Sequence, residues 1–380
     1  TFDFSEDVAG FDVSDLTATG GVISGFTTVN ASSYEATFTA NDGVETIGSV
    51  SVAATYTDLQ GNAGTANSDT VAIDRLNPTV VVNVVDDALT DAETSSLVTI
   101  EFSEDVTGFD ITDVSSTGGS VSGFSTIDAN RYTLVFTASD GVSLTGSVTV
   151  GGTYTDLNGN AGVSGSDTVE IDRVNPVVTS VVRADSNYTN ATAVSYIVTF
   201  SEDVTGVDVN GSDFRLVTSI ADASISSVAG SNATYNVIVN TGTSGGSIGL
   251  ALAATPTIQD AVGNDLIDTA IAGSNEAYTI ASTEVLLTGG NVSVTDIRDA
   301  TADDITLSLA GSDLIISSAS DSIAAGVGVT RVNASSVSVA LADISGSNGV
   351  TVLAGDLDDT VTVEGLGRRL EIVGGTGADV

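Results

Sequence analysis

Leu97-Val-Thr-Ile-Glu-Phe102 alternates apolar and polar residues one by one, the pattern of a strand with one face in a core and the other in water. Similar runs predict strands at Thr79–Val85, Ser120–Thr126, Arg131–Ala138, Leu144–Tyr154 and Asp167–Ile171. Between them lie Gly118-Gly119, Ser139-Asp140-Gly141 and Asn158-Gly159-Asn160, residues suited to tight turns. No segment carries a convincing helical period. The chain reads as all-β.

The strand pattern repeats. Phe-Ser-Glu-Asp-Val stands at Phe4–Val8, Phe102–Val106 and Phe200–Val204, 98 residues apart each time. Tyr56-Thr-Asp-Leu59 returns at Tyr154–Leu157 and Asn77-Pro78 at Asn175-Pro176. A period near 100 residues is a whole domain and not a solenoid turn. About seven short strands in that length, with turns every 8–12 residues or so, describe an Ig-like β-sandwich without the cysteine pair of antibody domains. The sequence therefore predicts tandem Ig-like sandwiches at 1–75, 76–173 and, in a diverged copy, 174–282. The first copy lacks the counterpart of the opening strand Thr79–Val85. Two explanations stand open: a longer parent chain that supplies it, or a strand donated by a neighbouring molecule.

From residue 283 to 380 the aromatic residues vanish. Short apolar runs continue at Val292–Thr295, Ile305–Leu309, Leu314–Ser317, Ser336–Leu341, Val350–Leu353, Thr360–Val363 and Leu370–Val373. This predicts a β-solenoid-like or irregular β module. It ends in Gly374-Gly-Thr-Gly-Ala-Asp-Val380, one partial copy of a glycine/aspartate calcium repeat, with Asp379 as its candidate ligand.

Composition narrows the chemistry. There is no Cys, His, Met, Trp or Lys, and all nine basic residues are Arg. Thiol nucleophiles, Ser-His-Asp triads, thiolate or imidazole metal sites and lysine Schiff bases are excluded. Fifty acidic residues give a net charge of −41. That charge disfavours nucleic acid and anionic membrane surfaces as partners. No apolar run is long enough to span a membrane. An oxygen-only ligand inventory suits a hard cation, Ca²⁺ above all.

Three groups of carboxylates recur with the period. The turn Asp58-Leu-Gln-Gly-Asn62 returns as Asp156-Leu-Asn-Gly-Asn160 and Asp260-Ala-Val-Gly-Asn264. Its third residue is Gln, Asn or Val, so it is no EF-hand loop; the Gly suits a positive φ, and the Asp suits either a turn cap or a Ca²⁺ ligand. The pairs Glu6-Asp7, Glu104-Asp105 and Glu202-Asp203 follow strands and suit either solvated turns or a shared cation. Junctions Ile73-Asp74-Arg-Leu-Asn-Pro78 and Ile171-Asp172-Arg-Val-Asn175-Pro176 place Asp74, Asp172 and Asn175 beside a rigid Pro, where they suit pairing with loops such as Asp86-Asp87 and Glu104-Asp105, or a plain linker; Asp185 is a further candidate ligand. Repeats one and two match at 47 of 78 aligned positions, so the positions that still differ mark what the module tolerates.

Thr153-Tyr-Thr-Asp-Leu-Asn-Gly-Asn-Ala-Gly162 and Ser166-Asp-Thr-Val-Glu-Ile-Asp-Arg-Val-Asn-Pro176 resemble the end of a bacterial Ig-like repeat of large calcium-binding surface adhesins, biofilm-associated and S-layer-type proteins, a likeness covering about 1–282. The resemblance implies a secreted, cell-surface, non-catalytic repeat rod, stiffened by Ca²⁺ at its joints. Its partners would be cell-surface polymers or other copies of itself. Alternatives are a self-assembling S-layer or filament subunit, and an accessory region of a secreted hydrolase. Repeat three and the unlike C-terminal module depart from a uniform rod.

Overall fold

Alternation becomes burial strand by strand. In Ser95–Phe102 the side chains of Ser96, Val98, Ile100 and Phe102 are buried, while Leu97 and Glu101 face water. The computed structural model describes residues 1–380 except 299–303, 320–321, 346–348, 356–357, 368, 376 and 379. The described chain divides into two compact units, Thr1–Arg173 and Val174–Val380. Its ordered elements are strands, with two short 3-10 turns at Val13–Asp15 and Ile111–Asp113. No helix among the described residues is long and apolar enough to cross a membrane.

In the first unit, residues 80–172 build a complete sandwich. One antiparallel sheet runs in the order Gly119–Thr126, Arg131–Ala138, Ser95–Phe102, Val80–Val84. The other runs Ala88–Leu89, Gly165–Asp172, Ser143–Val150, Val114–Thr117. Val82, Val84, Val98, Ile100, Leu134 and Phe136 from the first sheet meet Val148, Val150, Val169 and Ile171 from the second in one core. At one end of that core Phe102, Phe109, Tyr132 and Tyr154 pack edge to face, with ring centroids 4.6 Å apart for Phe102–Tyr154 and 4.9 Å for Phe109–Tyr132. Fully buried Tyr154 donates its hydroxyl to the Val163 carbonyl at 2.7 Å and lies 3.3 Å from that of Pro78.

The expected strands are present, with two physical corrections. Leu144–Tyr154 ends at Val150, because Gly151-Gly152 interrupts it before the short strand Thr155–Asp156. Val114–Thr117 was not expected, since its sequence Val-Ser-Ser-Thr has too little apolar contrast to show a period of two.

Residues 1–74 repeat this plan with a three-stranded sheet of Phe2–Asp3, Ser33–Ala40 and Gly21–Asn30 over another of Leu16–Thr19, Glu45–Val52 and Asn67–Asp74. The aromatic cluster recurs as Phe4, Phe11, Tyr34 and Tyr56. The counterparts of Val80–Val84 and of most of Ser95–Phe102 are lacking. A cleft of about 790 Å³ lies there, lined by Phe2, Phe38, Val50, Tyr56 and Val71 among others. The buried core is correspondingly small: Val8, Phe11, Tyr34 and Tyr56.

The second unit holds two cores. Around the first, the sheet Val178–Arg183, Ala193–Phe200, Thr234–Asn240, Ser224–Ser231 packs on Tyr188–Thr189, Ala277–Ile280, Gly246–Leu252, Phe214–Thr218. Around the second, two five-stranded sheets cover Val285, Val294, Leu307, Ile316, Val337 and Val352. Here parallel pairs such as Asn291–Asp296 with Val350–Gly355 mix with antiparallel hairpins such as Asp304–Ala310 with Asp313–Ser318, which makes an irregular β module.

The open cleft yields a test. Joining the segment Asn77–Val98 directly before Thr1 restores the repeat register. The lowest calorimetric transition of the chain is expected to move up by several degrees, since each kcal/mol shifts a small domain by roughly 4–8 °C.

Candidate cation site at the joint between the first two sandwiches

The turn that begins at Asp156 is built to hold one carboxylate still. Asp156 Oδ1 accepts the amides of Asn158 at 2.9 Å and Asn160 at 2.8 Å, and its Oδ2 accepts Asn160 Nδ2 at 2.7 Å. Gly159 has φ +90°, a conformation that costs a side-chain-bearing residue strain, and its counterparts Gly61 and Gly263 have +88° and +95°. The same capping recurs at Asp58 with Gln60 and Asn62, and at Asp260 with Val262, Gly263 and Asn264. The first Asp of this turn is thus a turn cap in all three copies.

In the second copy the turn does something more. Oxygen atoms of Asp74, Glu104 and Asp156 all lie within 4.8 Å of one another. Asp74 ends the strand Asn67–Asp74, Glu104 follows the strand Ser95–Phe102, and Asp156 opens the turn. Asn158 Nδ2 donates to Asp74 Oδ2 at 2.6 Å, and Asn160 Nδ2 lies 3.3 Å from the Asp74 carbonyl oxygen. The neighbouring cation, Arg75, pairs instead with Asp42 at 3.0 Å.

The electrostatics are lopsided. Burial, then the charges of Asp156 and Asp74, push the Glu104 carboxyl above its usual range. Burial also acts to raise Asp156, but the Asn160 side chain and the amides of Asn160, Asn158 and Gly159 outweigh it and hold that carboxyl low. Three carboxylates with no nitrogen or sulfur ligand among them are the oxygen-only donor set that suits a hard divalent cation.

The structure sorts the other candidates. Of each Glu-Asp pair, Glu104 and Glu202 are half-buried while Asp105 and Asp203 are exposed. Among the described residues only the glutamate of each of these two pairs joins an acidic cluster. Glu6 and Asp7 are both exposed, and neither they nor Asp58 and Asn62 join an acidic cluster among the described residues. Glu202 and Asp260 place carboxylate oxygens within 4.8 Å of each other in the second unit. Buried Asn264 holds Asp260 through its side-chain amide. Asp172 closes the strand Gly165–Asp172, and Asn175 donates to the Asp265 carbonyl at 3.0 Å. Asp86 and Asp87 do not reach Asp74. The Asp87 carbonyl accepts the Glu170 amide at the far end of Gly165–Asp172. The Asp185 amide donates to the Tyr278 hydroxyl at 3.0 Å. Asp379 lies outside the described residues. Sequence reasoning missed Asn158, because the third turn position varies between copies as Gln60, Asn158 and Val262, and an amide there is not confined to the copy that meets Asp74.

Fold and site together define an array of antiparallel sandwiches whose first link is acidic and closed by proline. Residues 1–74 and 74–173 each match the family model of the bacterial Ig-like domain. Among solved structures the chain is similar to invasin, a bacterial integrin-binding protein, at 13% identity and a TM-score of 0.28, covering 88% of this chain and 66% of that one. It is similar to the adhesin InvE of Yersinia pseudotuberculosis at 14% identity and a TM-score of 0.24, over 54% of this chain and 60% of that one. For the D00-D0 domains of intimin the values are 14% and 0.25, over 53% and 98%. The chain thus spans less than two thirds of the length of the first two. No curated protein matches it in sequence.

Two measurements probe the site. Asp156→Ala strands several turn donors, and urea unfolding in a chelator should show a loss of about 2 kcal/mol. The second concerns pH. A raised carboxyl costs stability above its folded value and nothing below its unfolded one, whereas a lowered carboxyl contributes stability that is lost as pH falls through its folded value. In chelator the wild type should therefore gain stability as pH falls from 7 toward the ordinary glutamate value of 4.5, then lose it as Asp156 and Asp58 protonate. Glu104→Gln should abolish the gain and keep the later loss.

Proposed function

We propose that this chain is a non-catalytic segment of an extracellular bacterial surface protein, a repeat spacer of the adhesin type whose first joint is stiffened by Ca²⁺. The observation that carries the reading is the Asp74–Glu104–Asp156 group, which draws one carboxylate from the end of one sandwich and two from the next. A cation there bridges the two domains, whereas without one the three negative charges oppose their approach. The match of residues 1–74 and 74–173 to the bacterial Ig-like family model supports the surface role. The recurring framework supports a mechanical one: what is copied every 98 residues is a core, turns and carboxylates, with no set of catalytic groups among them. Ca²⁺ is preferred over Mg²⁺ because several carboxylates suit its larger, more adaptable shell. Surface polymers, or other copies of the chain, are the partners this reading implies.

Calorimetry and small-angle scattering of the chain with Ca²⁺ and with EGTA test it. At about 100-fold over Kd, one site should add about 2.7 kcal/mol. Ca²⁺ should also narrow the spread of distances between labels in residues 1–74 and 80–172. Glu104→Gln should weaken both effects while raising stability in EGTA. Identical melting and distance distributions with and without Ca²⁺ would sink the calcium reading, and turnover of a polysaccharide by the purified chain would sink the non-catalytic one.

A further inference from the structure

The second unit contains a link of a different chemistry. The strand Ala277–Ile280 of one core is followed almost at once by the strand Thr283–Thr288 of the next. The connecting Ala281 and Ser282, and Thr283 after them, are buried to within 1%. At the joint of the first unit, by contrast, Arg75, Leu76 and Asn77 are exposed.

Arg298 closes this buried link. Its guanidinium is held in protein, the residue being 6% exposed. Nε donates to the Ala281 carbonyl at 3.1 Å, Nη1 to that of Gly242 at 2.5 Å, and Nη2 to that of Ala191 at 2.9 Å and to Thr241 Oγ1 at 3.0 Å. The Asn190 carbonyl lies 3.3 Å from Nη2. These acceptors come from three separate segments, 190–191, 241–242 and 281. The backbone before Arg298 is itself anchored, since the Ile297 amide donates to the Ser282 carbonyl at 2.8 Å and the Arg298 amide to Asp296 Oδ1 at 2.8 Å.

A second arginine reaches the same loop. The Arg331 guanidinium carbon stacks 3.8 Å from the centre of the Tyr188 ring, while its nitrogens donate to the carbonyls of Ile323 at 2.6 Å and Asn333 at 2.9 Å. Asn190 Nδ2 adds a bond to Glu284 at 2.9 Å. In a chain with nine arginines, two are spent here on carbonyls and an aromatic face.

We propose that Arg298, assisted by Arg331, is a metal-independent lock that makes the sandwich around Tyr196 and the module around Val352 one mechanically continuous body. The fixed fork of a guanidinium suits this task, because it satisfies carbonyls from several loops at once and stays charged at every relevant pH. Its bonds are buried and short, so salt screens them little. The lock does not rest on the calcium reading of the first joint.

Hydrogen exchange of the full chain decides the matter. In the wild type, protection of the Thr241, Ala281, Ser282 and Thr283 amides should be the same in Ca²⁺ and in EGTA. Arg298→Ala should speed exchange at these amides on the order of tenfold or more, as expected for loss of hydrogen bonds to a charged group. Arg331→Ala should give a smaller change in the same direction. Unchanged exchange in Arg298→Ala would overturn the lock, and wild-type protection that falls in EGTA would overturn its independence from metal. Should Arg298→Ala also lose protection at Val237 and Val352 in the two cores, Arg298→Lys decides. It keeps the charge and loses the fork, so faster exchange confined to the joint upholds the proposal, and unchanged exchange there overturns it.

Discussion

The architecture of the joint hangs from one tyrosine. Tyr154 sits wholly inside the second core, its ring against Phe102 and its hydroxyl on the Val163 carbonyl, close to that of Pro78. It thereby ties three things to the core: the chain entering from the junction, the strand that leads away, and, two residues on, the turn that presents Asp156. A hydroxyl buried this deeply must find a partner, and the acceptors it meets are backbone carbonyls at the joint. Gly162 completes the arrangement, because a Cβ there would stand 2.3 Å from the tyrosine ring. The same ring-over-glycine packing recurs with Tyr56 and Gly64. Position of the acidic group and packing of the core are therefore one problem and not two.

Much of this was legible in the sequence. Alternation located the longer strands of residues 80–172, though not Val114–Thr117, because one-sided burial leaves a period of two, and the repeat placed Asp74, Glu104 and Asp156 among nineteen candidate ligands without ranking them above the rest. What alternation does not carry is direction at the ends of strands. Glu104 and Asp105 are chemically near-equivalent letters, and only the backbone decides that the first turns to the joint and the second to water. Asp86 and Asp87 looked like joint residues by sequence distance, yet the strand between carries them to the other end of the sandwich. The sequence suits the turn aspartate to either a cap or a ligand; the geometry makes it a cap in every copy, and in the second the acidic cluster is built on that cap. Arg298 left no signature at all: its partners are main-chain oxygens and one threonine hydroxyl, Thr241, which a sequence does not point to.

The two kinds of link divide the molecule's electrostatics. The first gathers three carboxylates from two sandwiches. The second surrounds positive charge with carbonyl dipoles and needs no ion. In a chain of net charge −41, acidic links are the cheap option, since carboxylates are plentiful and arginines few. Spending two arginines at one site marks it as a place where the connection is not meant to depend on the surroundings.

The routing of the chain through residues 78–172 has a mechanical corollary. The polypeptide enters at Pro78 into Val80–Val84, whose neighbour is the antiparallel Ser95–Phe102, and it leaves along Gly165–Asp172, flanked by Ser143–Val150 and the short parallel Ala88–Leu89. Entry and exit lie at opposite ends of strands that run lengthwise. Ladder bonds lie across the strand direction. A pull applied at the two ends would slide neighbouring strands past one another and strain many bonds together, as in a lap joint, instead of peeling them singly like a zip.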